Sequence, residues 1–315
     1  MADQEGADEA LIGLVRALAA AGYDFVAPTP ATQARVNARP DNALARDLRG
    51  VFGWSRLFRP GLLPDAVAEL AARAGVLRPE GDLLRSRIRV SSLGGELFVH
   101  SAYPTGEADS VFFGPDTYRF AAALDRDVPA IAGPIRRAVD IGCGSGAGAV
   151  GIAKMLPDAA IVGVDINRDA LRLTRINAAL AGVDVEAVKS DLLTGTAGAF
   201  DLVVANPPYL LDPTERAYRH GGGSLGEGLS LAIADAAADR LAPGGTLILY
   251  TGVAIVEGRD AFREAAVRRL EDAGLAVAYR EVDPDVFGEE LETPAYAETE
   301  RIAAVVLTAT RSPVG

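Results

Sequence analysis

From about residue 134 onward, short runs of apolar residues alternate with segments of helical character. The runs near 136–141, 160–165, 184–188, 201–205, 245–250, 275–281 and 302–309 predict strands, and 146–156, 168–181, 228–242 and 258–273 predict helices. Asn167 stands where an N-cap is needed after the second strand, and Gly182 closes the helix that follows. Pro243-Gly244-Gly245 turns the chain into Thr246-Leu247-Ile248-Leu249-Tyr250. Strands this apolar are buried on both faces, which calls for a parallel sheet covered by helices. The last two strands are separated by a long loop without a helix, so they read as a hairpin-like antiparallel edge.

Residues 1–110 follow another pattern. Leu11, Leu14, Val15 and Leu18 recur at helical spacing, and further helical stretches lie near 41–52 and 64–74. Leu84–Ser92 and Glu96–Ser101 alternate around Leu93-Gly94-Gly95, the pattern of a β-hairpin. Helices followed by a hairpin suit a small α+β module of winged-helix type. The division expected is an auxiliary, substrate-recognising domain at 1–110 and a larger domain at 111–315. The tails 1–7 and 310–315 are expected to be mobile.

Composition narrows the setting. A chain of 315 residues, 49% hydrophobic and 23% charged, has ample material for a core. Its acidic N-terminus is unlike a secretory signal, and no segment approaches ~20 uninterrupted apolar residues. No membrane contact and a cytoplasmic location are therefore expected, in keeping with a single cysteine, Cys143. His100 and His220 lie far apart without ligands at metal spacing, so no metal is expected. Net charge is −12, which weakens whole-surface attraction to nucleic acid. Residues 31–89 nevertheless carry eleven arginines against six acids, either solvated helix faces or a contact for an acidic partner such as RNA.

The first strand of the second region runs into Asp140-Ile141-Gly142-Cys143-Gly144-Ser145-Gly146-Ala147-Gly148. Glycines at a strand's carboxyl end let the backbone approach a ligand, so Gly142, Gly144 and Gly146 are candidate cofactor residues. The spacing alone also fits a dinucleotide fingerprint. Asp140 discriminates, because a carboxylate there repels a pyrophosphate and attracts a ligand bearing an ammonium and a sulfonium. Asp165 ends the second strand, nineteen residues beyond Gly146, where an acid accepts hydrogen bonds from both ribose hydroxyls. Asp191 follows the third strand, placed for an adenine amino group. Ile166 and Leu192, directly after these acids, are counted in the same site. The cofactor expected is S-adenosyl-L-methionine, on a Rossmann-like α/β fold with a seven-stranded, mostly parallel sheet and an antiparallel last strand.

The fourth strand ends in Asn206-Pro207-Pro208-Tyr209. Prolines make this turn rigid. A planar amide or aryl amine is a poor nucleophile, and acceptors aimed at its N–H groups select the geometry in which its lone pair points at a methyl group. The Asn206 side-chain oxygen and the Pro207 carbonyl supply two such acceptors, and Tyr209 offers a ring to stack on a planar group. This turn, with Asp140–Gly146, resembles the class I S-adenosylmethionine-dependent methyltransferases of the Asn-Pro-Pro-Tyr group, and within them the release-factor glutamine methyltransferases. The resemblance covers roughly residues 111–310. It implies that Val111–Thr117 closes over the cofactor, which adds Phe113 and Thr117 to the site. Tyr118 stands where that family carries a glutamate, and the first 110 residues do not match its helical domain.

Two loops remain. Leu210–Glu227 contains Tyr218-Arg219-His220-Gly221-Gly222-Gly223, a candidate lid in which His220 either meets substrate or has no role. Asp283–Glu300 holds seven acids and no base, either a solvated loop or a rim that favours a basic protein segment. The expected reaction is methylation of a planar nitrogen: a glutamine in a protein by resemblance, an exocyclic adenine amine in RNA or DNA as the rival. A non-catalytic S-adenosylmethionine-binding regulator is the alternative of another class. A protein substrate is favoured over nucleic acid, and no feature sets the oligomeric state.

Overall fold

The computed structural model describes residues 2–212, 216 and 218–313. Among them no helix is long and apolar enough to cross a membrane. Helix α1 (Ala2–Ala20) buries Leu11, Leu14 and Leu18 completely. It includes most of the segment expected to be a mobile tail. Asp8, in its second turn, accepts both Gln4 Nε2 and Arg172 of a later helix (2.6 Å), which ties this end down. Helix α2 (Pro30–Asn37) was not legible, because it has no apolar stripe. Thr29 caps it, and its buried residue is Gln33, whose amide donates to the Trp54 carbonyl. The helix expected over 41–52 shrinks to a 3-10 turn at Pro40–Asn42 and α3 (Leu48–Phe52), capped by Asp47. Helix α4 spans Asp65–Arg73.

Two hairpins follow where one was expected. Strands β1 (Leu77–Glu80) and β2 (Leu83–Ser86) pair, as do β3 (Ile88–Leu93) and β4 (Glu96–Ser101). Helix α5 (Pro115–Asp127), also unforeseen, starts on Gly114 with a proline in its first turn.

The second region has the expected alternation: β5 (Arg137–Ile141), α6 (Ala147–Met155), β6 (Ala160–Asp165), α7 (Arg168–Ala181), β7 (Glu186–Lys189) and β8 (Phe200–Ala205). Then come α8 (Gly228–Arg240), β9 (Leu241–Val256), β10 (Arg259–Asp260), α9 (Ala261–Asp272), β11 (Leu275–Asp283) and β12 (Arg301–Arg311). Asn167 caps α7 through Asp169 N–H, and Gly182 ends it in the left-handed region. The sheet order is β11-β12-β9-β8-β5-β6-β7, with the two-residue β10 paired to β9. Strand β12 is antiparallel to both neighbours and inserts between β9 and β11. It gives β9 a partner from Thr246 to Ile255, which explains a fifth strand longer than expected.

Alternation along the central strands divides two cores. Val139, Val203, Leu247, Leu249 and Val305 face α8 and α9. Leu202, Val204, Ile248 and Val306 face the other way, into a cluster shared by α5, α6, α7 and the apolar residues of the N-terminal half. Asn177 of α7 bridges the halves: its amide group exchanges two hydrogen bonds with the Val99 backbone (2.8 and 2.9 Å) and donates to Ser145 O (2.7 Å). In the parallel part, Ile141 lies beside Val164 and Ala205, so the loops after β5, β6 and β8 emerge together.

Candidate active site

Those loops enclose a cleft of about 1140 Å³, counting its open mouth. Its walls include Thr117, Asp140, Gly142, Gly144, Asp165, Ile166, Asp191, Leu192, Asn206 and Pro207, all singled out above. Gly142, Gly144 and Gly146 have φ of 71°, 54° and 80°, conformations that a side chain would strain. Gly146 does not line the cleft. It starts α6 and packs against Thr174, which leaves no room for a Cβ.

Among the described residues, three acids and no basic residue line the cleft. Asp140 is 2% exposed and accepts Ala149 N–H at the start of α6 (2.9 Å). Burial, reinforced by Asp165, pushes its carboxyl up to about 7. Asp165 accepts Gly144 N–H with one oxygen and Asn167 N–H with the other (3.0 and 2.8 Å), and burial raises its pKa as well. Such a cleft repels a pyrophosphate and is relieved by a cation. At its rim Ile166 is 54% exposed, a free apolar face beside Asp165. Leu192 holds a left-handed backbone at φ 48°, a strain that non-glycine residues show chiefly at functional positions.

Two further expected residues, besides Gly146, lie elsewhere. Phe113 turns away from the cleft and stacks on His100 (ring centroids 4.8 Å apart), while its neighbours Val111 and Phe112 line the wall. Sequence fixes the segment but not which of two adjacent aromatics faces inward, because that depends on the loop's path. The Tyr209 ring is buried behind the Asn206–Pro208 turn, not presented as a stacking face. It lies against Gly252, where an added Cβ would come within 2.0 Å, and meets Phe287 edge-on at 5.9 Å. Its hydroxyl donates to Asp116 Oδ2 (2.7 Å), and Tyr250 donates to Asp116 Oδ1 (2.7 Å). Arg119 contacts Asp116 at 3.2 Å and Asp283 at 2.8 Å. Asp116 was thus missed as the post behind the turn; its place on the segment before the first large strand gives no hint of a partner 93 residues on.

Asn206 and Pro207 do reach the cleft. Among the described residues nothing hydrogen-bonds the Asn206 side chain, so its amide oxygen is available to a ligand. Pro208, Tyr218, Leu229 and Ile233 complete this end and were not expected to. Tyr218 donates to Thr105 O (2.7 Å), strapping the post-catalytic loop to the N-terminal half. His220 stays off the cleft and accepts Asp212 N–H on Nδ1. Pro213-Thr214-Glu215 and Ala217 of the expected lid lie outside the described residues. Two of its glycines are packing devices, since a Cβ on Gly221 would meet Gly226 O at 2.0 Å and one on Gly226 would meet Tyr209 O at 1.9 Å, whereas Gly222 has open space and a φ of 68°.

The acidic loop is partly neutralised. Glu290 pairs with Arg219 and Asp283 with Arg119, and Tyr296 is buried with its hydroxyl accepting Leu211 N–H (2.9 Å). The arginine-rich stretch is likewise partly consumed internally, since Glu80 takes both Arg78 and Arg85, and Arg56 bonds Asn37.

A family profile described as a methyltransferase small domain matches residues 121–255. A release factor glutamine methyltransferase of Deinococcus radiodurans is 35% identical over 216 residues, 65% of this chain and 73% of that protein. A ribosomal protein uL3 glutamine methyltransferase of Neisseria meningitidis is 35% identical over 132 residues, 38% of this chain and 43% of that one. A solved transferase structure from Pyrococcus horikoshii aligns with a TM-score of 0.51 at 16% identity over 79% of this chain and 83% of that one, a likeness of fold alone. Sheet, cleft and profile define a class I methyltransferase that uses S-adenosylmethionine. Within that class, the chain belongs to the release factor glutamine methyltransferase family.

Proposed function

We propose that this enzyme methylates the side-chain amide nitrogen of a glutamine in a protein, and that the translation proteins named for its relatives represent the substrate class. The open Asn206 amide at the cleft wall carries the reading. Asp140, the Gly142–Gly144 backbone and Asp165 hold the cofactor's methionine and ribose ends, and Ile166, Asp191 and Leu192 hold its adenine. Bound there, S-adenosylmethionine supplies an electrophilic methyl group on a sulfonium. The Asn206 side-chain oxygen and the Pro207 carbonyl accept the two amide N–H groups of the substrate. This fixes the amide plane so that the nitrogen's π density faces the methyl group. As nitrogen gains positive charge, both acceptors bind it more tightly than in the ground state, which is the condition for lowering a barrier. Tyr209 acts from behind, fixing the turn through Asp116. As the new N–C bond forms, the bond from the methyl carbon to the sulfonium would break and leave a neutral thioether; the methylated nitrogen then loses its proton to water, so no nucleophilic side chain is required.

Residues 1–110 serve as the substrate-facing module, with 111–315 as the transfer domain, in a cytosolic setting where such a protein substrate resides. The test is to label lysate with radioactive methyl cofactor and the enzyme, then digest separate portions with nuclease and with protease. Label that survives nuclease, disappears with protease and maps to N-methylglutamine by mass spectrometry is the expected result. Label lost to nuclease would instead establish a nucleic-acid amine as acceptor.

A further inference from the structure

Next to the transfer cleft lies a second, far smaller pocket, about 290 Å³ with its open mouth counted, lined by Pro28, Pro30, Arg89, His100, Tyr103 and Phe113 among others. Phe112 is a wall of both cavities. Arg89 projects from β3 and is only 5% exposed, yet its Nε and Nη2 have no hydrogen-bond partner. A buried guanidinium left unpaired is among the costlier arrangements in a protein.

Among the described residues the surroundings supply no compensating anion. His100 sits directly across the hairpin from Arg89 and is itself buried. Its Nδ1 faces Ser101 O and so carries the proton, and its Nε2 accepts from Ser91 Oγ (2.8 Å). Burial and the nearby Arg89 hold its pKa well below the ordinary value, so it is neutral. The Phe25 ring lies 5.4 Å from the guanidinium and offers its π face but no acceptor. Tyr23, Tyr103 and Tyr118 are the other polar neighbours, and the Tyr23 hydroxyl is already committed to Val90 O. Burial lowers the Arg89 pKa only to about 10, so the charge persists at neutral pH.

Nε and Nη2 form one edge of the guanidinium fork, the edge a carboxylate bridges with two parallel hydrogen bonds. We propose that Arg89 anchors a carboxylate subsite beside the transfer cleft, taking an acidic side chain of the protein substrate close in sequence to the methylated glutamine. This rests on the glutamine reading above. A lining of prolines and aromatics, with Ser101 and Thr105 beside them, suits a side-chain carboxylate at the end of a methylene stem.

The test uses the full chain, with Arg89→Met to keep bulk and Arg89→Lys to keep charge without the fork. Acetate is titrated against sodium isethionate at constant ionic strength while thermal unfolding is followed. Acetate should raise the Tm of the wild type by a few degrees and leave Arg89→Met unmoved. Arg89→Met without acetate should unfold at or above the wild-type temperature, because an unpaired buried charge has been removed. S-adenosylmethionine should stabilise all three proteins equally. In transfer assays with paired glutamine peptides that differ by a glutamate or a glutamine within a few residues, Arg89→Met should lower kcat/KM for the acidic peptide roughly tenfold, through KM, and erase the preference. Equal acetate shifts in wild type and Arg89→Met would overturn the subsite. If neither peptide is methylated, the glutamine reading fails, while the acetate result still decides the subsite.

Discussion

Burying a carboxylic acid without a cation raises its pKa, and Asp140 shows the consequence with its carboxyl pushed up to about 7. In the ligand-free protein this acid's contribution to stability is fully present below its unfolded pKa near 3.8 and is lost as pH rises through about 7. A cofactor ammonium reverses the preference, since it favours the charged form. Cofactor affinity should therefore strengthen as pH rises from about 6 to 8 and flatten above, with net proton release on binding below pH 7. Calorimetry in two buffers of different ionisation enthalpy measures the released proton. Asp140→Asn should bind more weakly and lose the pH dependence; an unchanged profile in that variant would assign the titration elsewhere, with Asp165 as the next group. Asn206→Ala separates binding from chemistry. It should keep the cofactor's thermal stabilisation and lower kcat by roughly a hundred- to a thousandfold, the cost of removing one transition-state hydrogen bond. Undiminished turnover would remove Asn206 from the mechanism.

At the level of elements, the central parallel strands and their helices were readable because strands such as β8 are apolar and buried along most of their length, and Asn167 and Gly182 punctuate α7 at both ends. What was not readable depends on partners distant in sequence. Helix α2 is held by Gln33 on Trp54, not by an apolar face, and α1 extends to Ala2 because Arg172 reaches Asp8. The three acids of the cleft were legible because three strand ends carry them in series. The orientation of Tyr209 was not, because it is set by Gly252 of β9 and by Asp116 of α5. This packing predicts that Gly252→Ala disturbs chemistry from outside the cleft. A methyl group 2.0 Å from the Tyr209 ring forces the ring or β9 to shift, so kcat should fall more than tenfold while cofactor binding persists. Tyr209→Phe keeps the ring and deletes its bond to Asp116. It should lower stability by about 1–3 kcal/mol, read by denaturant unfolding, with a smaller loss of kcat than Gly252→Ala. The reverse ranking would mean that the hydroxyl, and not the ring's position, sets the turn.

Across the whole molecule, the two halves are joined by more than a linker. The apolar residues of α1, β3 and β4 share one cluster with α5, α6 and α7, and Asn177 hydrogen-bonds β4 and the cofactor loop at once. An N-terminal half fixed in this way cannot drift relative to the cleft, which is what the proposed role of Arg89 beside Phe112 requires. It also means that the halves should not melt separately. Trp54, the sole tryptophan, reports on the N-terminal half, whereas far-UV circular dichroism is dominated by the larger sheet region. Urea unfolding followed by the two signals should give coincident transitions, and S-adenosylmethionine should shift both midpoints by the same amount although neither Trp54 nor its partners Phe25, Arg56 and Gln33 line the cleft. Asn177→Leu removes the bridge and leaves the buried Val99 and Ser145 backbone groups without those partners, so it should lower the common midpoint and weaken cofactor binding together. If the tryptophan transition precedes the dichroism change, or if cofactor moves only the latter, residues 1–110 form an independently unfolding unit and the rigid coupling inferred from the shared core is wrong.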